Sequence, residues 1–566
     1  MITRNIRVCT YPLALAVASF SLAAQQDTQA SRSSRALEEI VVTANKREQT
    51  INEVGLTIQS ASGEALRNRG ISDVGDLSKL VPGFVATQST FATPVYTLRG
   101  IGLYDSTIGA APAVAIYADE ISRNFPMMSD ALELDIERVE VLKGPQGTLF
   151  GQSSTGGAIN YILNKPTDYF DAGIDLSYER FEKTEMAGFV SGPVADTLNA
   201  RLAVKTTQGG AWQKSISRPH DENGDTNKTM GRLSLDWKPT DRVQIQTTVT
   251  AARDKSDTQA PQYMGSFYNI YSADTLAAAN LDPATQNPYG YVNNELYALL
   301  VTPGSPGYRP DHVANQAIAA RRLNGVDGLN AFRPELAEGA AAILGSEART
   351  RRNRDADWTP GFLRGARNHY RQGTIRADVE LTEQTMLTIV SAYAKSKMDR
   401  TIDIDGTTAQ SLDIRAYGSI EAFNQEIRLS GSTDRTNWIV GLNYDYLKTA
   451  DHGDYTTFDY IGNDPLSWAV TGLGPLQDFN NHFETSLKTY AAFANVEFEV
   501  TDKLSVSGGI RYTENRQKAT YCHNDPGGVN LGANDIFGTF SQLFGAPADF
   551  SVAPGECFAL GPVHTK

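Results

Sequence analysis

The chain has 566 residues and a formal net charge of −14, with 48 glycines, 24 tyrosines and 22 phenylalanines beside only 3 cysteines and 8 methionines. The acidic balance argues against a nucleic-acid binder, which needs a basic face, and the absence of an apolar run of about 18 residues after the N-terminus excludes helical membrane spans. A membrane β-barrel stays open, because alternating strands keep mean hydropathy low, here −0.33.

Residues 1–24 read as a secretory signal: Arg4 and Arg7 precede an apolar core, Pro12 to Leu22, that leaves through small residues ending at Ala23 and Ala24. Cys9 departs with that peptide, leaving Cys522 and Cys557 as an even pair in an exported chain. A bridge between them closes a loop of roughly 35 residues and adds about 4 kcal/mol on the chain-entropy estimate; two free thiols are the alternative. Residues 25–36 are polar and read as a flexible linker.

A mixed α/β segment follows, to about residue 168. Ser62 is placed to cap a short helix ending at Gly70, and Asp73 another ending at Pro82 and Gly83. Short β runs are predicted at Val95–Arg99, Ala113–Tyr117, Ile136–Leu142 and Ala158–Ile162. From about residue 172 the pattern changes to strict period two. Leu198, Leu202 and Val204 alternate with Asn199, Arg201 and Lys205; Val440 and Leu442 alternate with Asn443 and Asp445. One face carries no charge. The other holds Asp175, Arg232, Asp236, Arg376, Asp378, Glu380, Glu426, Arg428, Glu497 and Glu499. Hydrocarbon tolerates the first face and a wet lumen the second. Tyr178, Trp237, Tyr393, Tyr444 and Tyr512 are expected near strand ends, at the height of an interfacial girdle. Short turns (192–196, 239–241, 382–384, 431–436, 501–503) alternate with long loops (about 209–226, 253–370, 395–417, 448–485 and 514 onward), as in an outer-membrane barrel. Roughly eleven strands are predicted, with helical stretches at 313–322 and 334–344 inside the longest loop.

Several segments resemble the TonB-dependent receptors of Gram-negative outer membranes. Leu37–Asn45 (LEEIVVTAN) resembles the TonB box. Val81–Phe84 (VPGF), Thr97–Gly102 (TLRGIG), Val114–Glu120 (VAIYADE), Ile136–Gly151 (IERVEVLKGPQGTLFG) and Ser154–Asn160 (STGGAIN) resemble plug motifs, and Gln425–Ser430 (QEIRLS) a barrel strand. The resemblance implies a TonB box at 37–46, an α/β plug domain at 47–168 and an antiparallel transmembrane β-barrel from 169 to 566, about half of a 22-stranded barrel. Such receptors usually end in an aromatic residue on a last strand. This chain ends Val563 to Lys566 and is expected to be the incomplete part of a longer one. Outer-membrane location with a periplasmic N-terminus, surrounding lipid, TonB as partner and active uptake of a small-molecule ligand follow from the resemblance. A ferric siderophore or other iron complex leads; cobalamin, haem, glycans, a passive pore and a non-functional fragment remain alternatives. No permanently bound cofactor is expected.

Glu39, Ile40, Val41, Val42, Thr43 and Ala44 are the candidate TonB-binding residues. A short β-prone segment can join a partner's sheet through main-chain hydrogen bonds and still release. Arg99, Glu137, Arg138, Glu140 and Lys143 are charges in β-forming segments that could tie plug to barrel or simply stay solvated on the plug surface. Gly100, Gly144, Gly147 and Gly151 complete the candidate plug set. They read as tight turns, because no Lys-Ser/Thr follows at phosphate-loop spacing and no third glycine completes a dinucleotide fingerprint. All seven histidines (His220, His312, His369, His452, His482, His523, His564) fall in predicted long loops and show no metal-ligand spacing. Arg349, Arg351, Arg352, Arg354, Arg364 and Arg367 form a basic stretch that could attract an anionic ligand or lipopolysaccharide phosphates, or stay solvated beside Glu347, Asp355 and Asp357. No nucleophile elbow and no Cys/His zinc spacing supports catalysis.

Overall fold

The computed structural model describes residues 41–262, 352–456 and 478–524, apart from short breaks, together with Cys557. The predicted leader and linker, Glu39, Ile40, Ala44, His312, His564, Arg349, Arg351, Arg364 and both helical stretches lie outside the described residues.

The N-terminal part is a small mixed domain. Strand β1 (Val41–Val42) pairs antiparallel with β2 (Gln49–Thr50). Then come β3 (Thr57–Ser62), helix α1 (Gly63–Asn68), a 3-10 turn (Gly75–Lys79), β4 (Phe84–Gln88), β5 (Pro94–Leu98) and β6 (Ile101–Gly102). After these follow β7 (Val114–Ala118), β8 (Ile121–Ser122), a second 3-10 turn (Pro126–Ala131), β9 (Ile136–Lys143) and β10 (Gly157–Leu163). The central sheet runs β3-β9-β10-β7-β8, with β7 and β10 parallel. The Ser62 hydroxyl accepts from the Ala65 amide and starts α1. Asp73 accepts from the Asp76 amide at 2.7 Å, but what it starts is a 3-10 turn that ends at Lys79. Leu77, Leu98, Ile116, Leu132 and Ile159 fill the core and are almost fully buried, each worth about 1.5–3 kcal/mol.

Beyond it, the described residues form chiefly one antiparallel sheet of eleven strands in sequence order: β11 (Asp171–Glu179), β12 (Lys183–Ala195), β13 (Leu198–Gly209), β16 (Thr226–Thr240), β17 (Val243–Asp254), β19 (Asn368–Thr382), β20 (Thr385–Asp403), β21 (Asp413–Ser432), β22 (Thr436–Thr456), β23 (Asp478–Thr501) and β24 (Leu504–Asn524). A small sheet of β14 (Gln213–Ser215), β15 (Glu222–Asn223) and β18 (Asp355–Ala356) stands beside it. Cys522 and Cys557 are disulfide-bonded, with Cα atoms 4.9 Å apart.

Alternation sorts the faces of this sheet in the reverse of a soluble protein. Leu202, Leu233, Val249, Ile375, Ile427 and Leu442 are exposed, while their neighbours Arg201, Arg232, Thr250 and Arg428 are buried against the small domain. The large apolar side chains therefore face outward, where only lipid can receive them.

The strands reach much farther than the alternation predicts. The expected loops 395–417 and 448–485 are largely strand, because β20, β21, β22 and β23 pair residue by residue far above the apolar band. There the outward face turns polar while Met398, Ile402, Ile414 and Ile420 point inward and pack against Phe125, Met127 and Met128, so the alternation no longer reads as that of a lipid-facing strand. Tyr393, Tyr444 and Tyr512 accordingly sit in mid-strand rather than near strand ends. His369, His452, His482 and His523 lie on strands rather than in loops. One connection on the long-loop side is a short turn, residues 180–182, where Phe181 and Glu182 take positive φ.

Replacing outward Ile375 by Arg should cost about 2–4 kcal/mol, the depth-dependent penalty for a cation in mid-bilayer. Urea unfolding from lipid vesicles checks this, with Ile375→Leu as the neutral control.

Candidate functional site

The seam between the small domain and the inward face of the sheet gathers the buried charges. At its short-turn end Lys46 Nζ lies 2.6 Å from Glu426, and Arg47 lies 3.0 Å from Glu497. Glu120 pairs with Arg428, which also holds Glu426, and stands 3.8 Å from Arg376. Asp135 takes a two-pronged bond from Arg201, both contacts 2.7 Å. Arg232 donates to the Leu134 carbonyl at 2.6 Å. Arg123, almost fully buried, packs against the Tyr370 ring at 5.0 Å.

Three of the residues that reach the wall share an unusual backbone. Lys46 (φ 56°), Glu120 (φ 68°) and Asp135 (φ 52°) all occupy the left-handed region, which costs a non-glycine residue of order 1–3 kcal/mol. At Glu120 the compensation is visible. Asp119 and Glu120, both with positive φ, link β7 to β8 in two residues, the geometry of a type I′ turn. The Asp119 carboxylate accepts from the Leu163 amide at 3.0 Å, and the Glu120 amide donates to Asn160 at 3.3 Å. The turn is thus clamped so that Glu120 projects at the wall. Burial pushes the Glu120 carboxyl up, but Arg428, Arg376 and Lys46 outweigh it and hold the group at about 2.

The candidate handle is docked. Val42 is completely buried, and the strand Val41–Val42 is already paired with Gln49 and Thr50. The Thr43 amide donates to Glu140 Oε1 and the Thr43 hydroxyl to Oε2, both at 2.9 Å, and Asn160 donates to the Thr43 hydroxyl at 3.3 Å. Glu140 itself is fully buried and receives Arg138 Nε at 2.9 Å.

The predicted plug charges are therefore not the ties to the wall. Arg138 pairs with Glu137 and Glu140, and Lys143 donates to Gln59 and the Pro82 carbonyl, all inside the small domain. The polar side chains of β9 find these partners within the domain, while its Leu142 belongs to an apolar cluster that includes Ile439 and Phe493 of the wall. Arg99 (φ 52°) and Gly100 (φ 80°) turn the chain between β5 and β6. Gly144 and Gly151 also have positive φ, and Gly147 does not. At Gly151 a Cβ would come within 2.9 Å of the Arg511 guanidinium of the wall. The wall-contacting Lys46, Arg47 and Asp135 went unread; the clearest sequence signal was the acidic Asp119–Glu120 pair ending an apolar run.

Toward the long-loop end a cavity of about 440 Å³ opens between Pro94 and Met127 of the small domain and the wall residues Lys183, Glu185, Lys228 and Arg400. Asn368 also lines it, and its buried side-chain oxygen has no hydrogen-bond partner among the described residues. Such a polar, mixed-charge lining can orient a polar ligand. Arg354 of the basic stretch is committed elsewhere, donating to the Trp212 carbonyl at 2.7 Å. His452 and His482 meet at 2.6 Å through their Nδ1 atoms, and no group of three or more metal-ligating side chains forms among the described residues.

The family model for the TonB-dependent receptor plug domain matches residues 50–158. The pesticin receptor of Yersinia pestis is 28% identical over 243 residues, 41% of this chain and 34% of that protein. An iron-regulated outer membrane virulence protein of Vibrio cholerae is 28% identical over 229 residues, 38% of this chain and 34% of that protein. The crystal structure of the ferric yersiniabactin uptake receptor of Yersinia pestis superposes with a TM-score of 0.58 at 17% identity, covering 84% of this chain and 58% of that one. The chain thus matches well under two thirds of the length of these relatives.

Two outcomes test this geometry. A cysteine at Val42 should react slowly with a soluble maleimide, and adding Glu140→Gln should speed labelling roughly 10- to 100-fold, the equivalent of 1–3 kcal/mol of lost charge-assisted bonding. For Glu120 the folded pKa lies below the ordinary value of 4.5, so its contribution is complete above that value and disappears as pH falls toward 2. Wild type should exceed Glu120→Gln in unfolding free energy by roughly 3 kcal/mol at pH 7 and lose that margin near pH 2.

Proposed function

We propose that this chain, which belongs to the TonB-dependent receptors by its plug domain and its fold, works in the outer membrane as an energy-coupled receptor for a scarce iron complex. The carrying observation is the placement of two features at opposite ends of one seam. The handle Val41–Thr43 is bonded to the plug at the short-turn end, and the polar cavity opens at the long-loop end. A ligand entering there touches plug and wall together. Binding must favour the plug arrangement with the handle released, since equal affinity for both arrangements would shift nothing. TonB, reaching the freed strand from the periplasm, supplies the pull.

The relatives' iron-related names support an iron chelate as the cargo. In this reading Lys228 and Arg400 face the anionic parts of the ligand, and carboxylates of the same lining, such as Asp225, Asp254 and Asp257, accept from its hydroxyl or amide groups. Uptake of a radiolabelled ferric chelate, compared with and without residues 37–46, is the test. Removing them should abolish accumulation while surface binding stays. Unchanged accumulation, or uptake that survives collapse of the proton gradient, overturns the proposal in favour of a passive pore.

A further inference from the structure

We infer that the outward face of the sheet carries a docking surface for the phosphates of a lipid headgroup, formed by Arg253, His369, Arg371 and Lys397. The register puts these side chains on one face. Arg253 on β17 stands directly opposite His369 on β19, which stands opposite Lys397 on β20. Arg371 is two residues along from His369, opposite Lys395. All four are exposed. Lys395 is neutralised by Glu421, but among the described residues Arg253, Arg371 and Lys397 form no ion pair. Basic groups placed directly across neighbouring strands repel one another. Arg253, Arg371 and Lys397 thus leave a local excess of positive charge that anions from outside can balance.

Its height says which anions. Below Arg371 the outward residues of β19 are Gly373, Ile375, Ala377, Val379 and Leu381, an uncharged strip ending at the short turn. The ten residue steps from Leu381 to Arg371 span about 33 Å of strand, or about 25 Å of height at a tilt near 40°, the height of an outer-membrane apolar band. Exposed Tyr393 lies opposite Gly373, one step below the basic row, where an aromatic ring marks the boundary with the headgroups. The cations thus stand at headgroup height in the leaflet away from the handle. A lipid with its chains on the strip and more than one phosphate above them matches both features.

The inference rests on the membrane reading and its test separates the two. The full chain, extracted in detergent from its own membrane, is first run on gels with and without heating. A heat-modifiable band secures the barrel reading, and its absence overturns both. Mixed micelles containing a bisphosphorylated glycolipid then serve as probe. Wild type should bind it at least tenfold more tightly than Arg253→Ser/Arg371→Ser/Lys397→Ser, and should not bind the same lipid stripped of phosphate. Arg253→Lys/Arg371→Lys, which keeps the charge, and Lys238→Ser/Arg242→Ser/Arg435→Ser, on the short-turn side, should bind like wild type. Equal binding by the triple serine variant, or full displacement by inorganic pyrophosphate at equal phosphate concentration, overturns the inference.

Discussion

A strand wall that turns hydrocarbon outward must send its polar side chains inward, and everything else in this protein follows from what meets them there. Period two leaves no third direction. Arg201, Arg232, Arg428 and Glu426 are buried because Leu202, Leu233, Ile427 and the other odd or even neighbours must face lipid. An isolated charge in such a place would be prohibitively costly, so the plug has to present partners at matching heights. Asp135, Glu120 and Lys46 are those partners.

The charged contacts of the plug are costly to break singly but not strongly favourable in sum, and apolar contacts across the same seam, such as Met128 with Ile414 and Ile121 with Val390, supply most of the adhesion. Desolvation consumes most of what a buried ion pair returns, while losing one partner strands the other. The charged part of the seam can therefore be exchanged at a modest net cost. The left-handed backbone at Lys46, Glu120 and Asp135 points the same way. Each tie is presented from a strained residue, so movement of the plug would release backbone strain at the moment the charge pair is lost, lowering the net cost of the step.

The sequence made the two-part architecture legible because both signals are local. Period two marks the wall wherever a strand crosses the apolar band, as at Leu198–Val204, and glycines with short β runs mark the plug. It failed above the band. Around Ile414–Ile420 and Leu447–His452 the strands still pair, but the outward face has turned polar and the inward face apolar, packed on Phe125, Met127 and Met128, so the alternation loses the sense it has in the band. The same failure moved four histidines from loops to strands. The seam was half legible: Glu426, Arg428, Arg376 and Glu497 stood out as charges on the inward face, yet their partners did not. Which plug residue reaches which wall residue depends on register between segments about 300 residues apart, as for Glu120 and Arg428, and no spacing in the chain encodes it. The Arg138–Glu140 pair shows the converse, since its proximity in sequence drew attention to a contact that never leaves the plug.

Glu140 nevertheless occupies a decisive place. Both of its oxygens accept from Thr43 of the handle and Oε1 also accepts from the plug's own Arg138, while Asn160 ties Thr43 to the neighbouring strand and also accepts the amide of Glu120. A continuous chain of hydrogen bonds therefore joins the handle to the turn that contacts Arg428 of the wall. Such a chain becomes a coupling device only if it has two arrangements that cavity and handle populate differently. The strained turn at Asp119 and Glu120 is the natural element to supply the second one. Relaxing its left-handed residues would withdraw the Glu120 amide from Asn160, weaken the hold of Asn160 on Thr43, and loosen the handle without any movement of the wall.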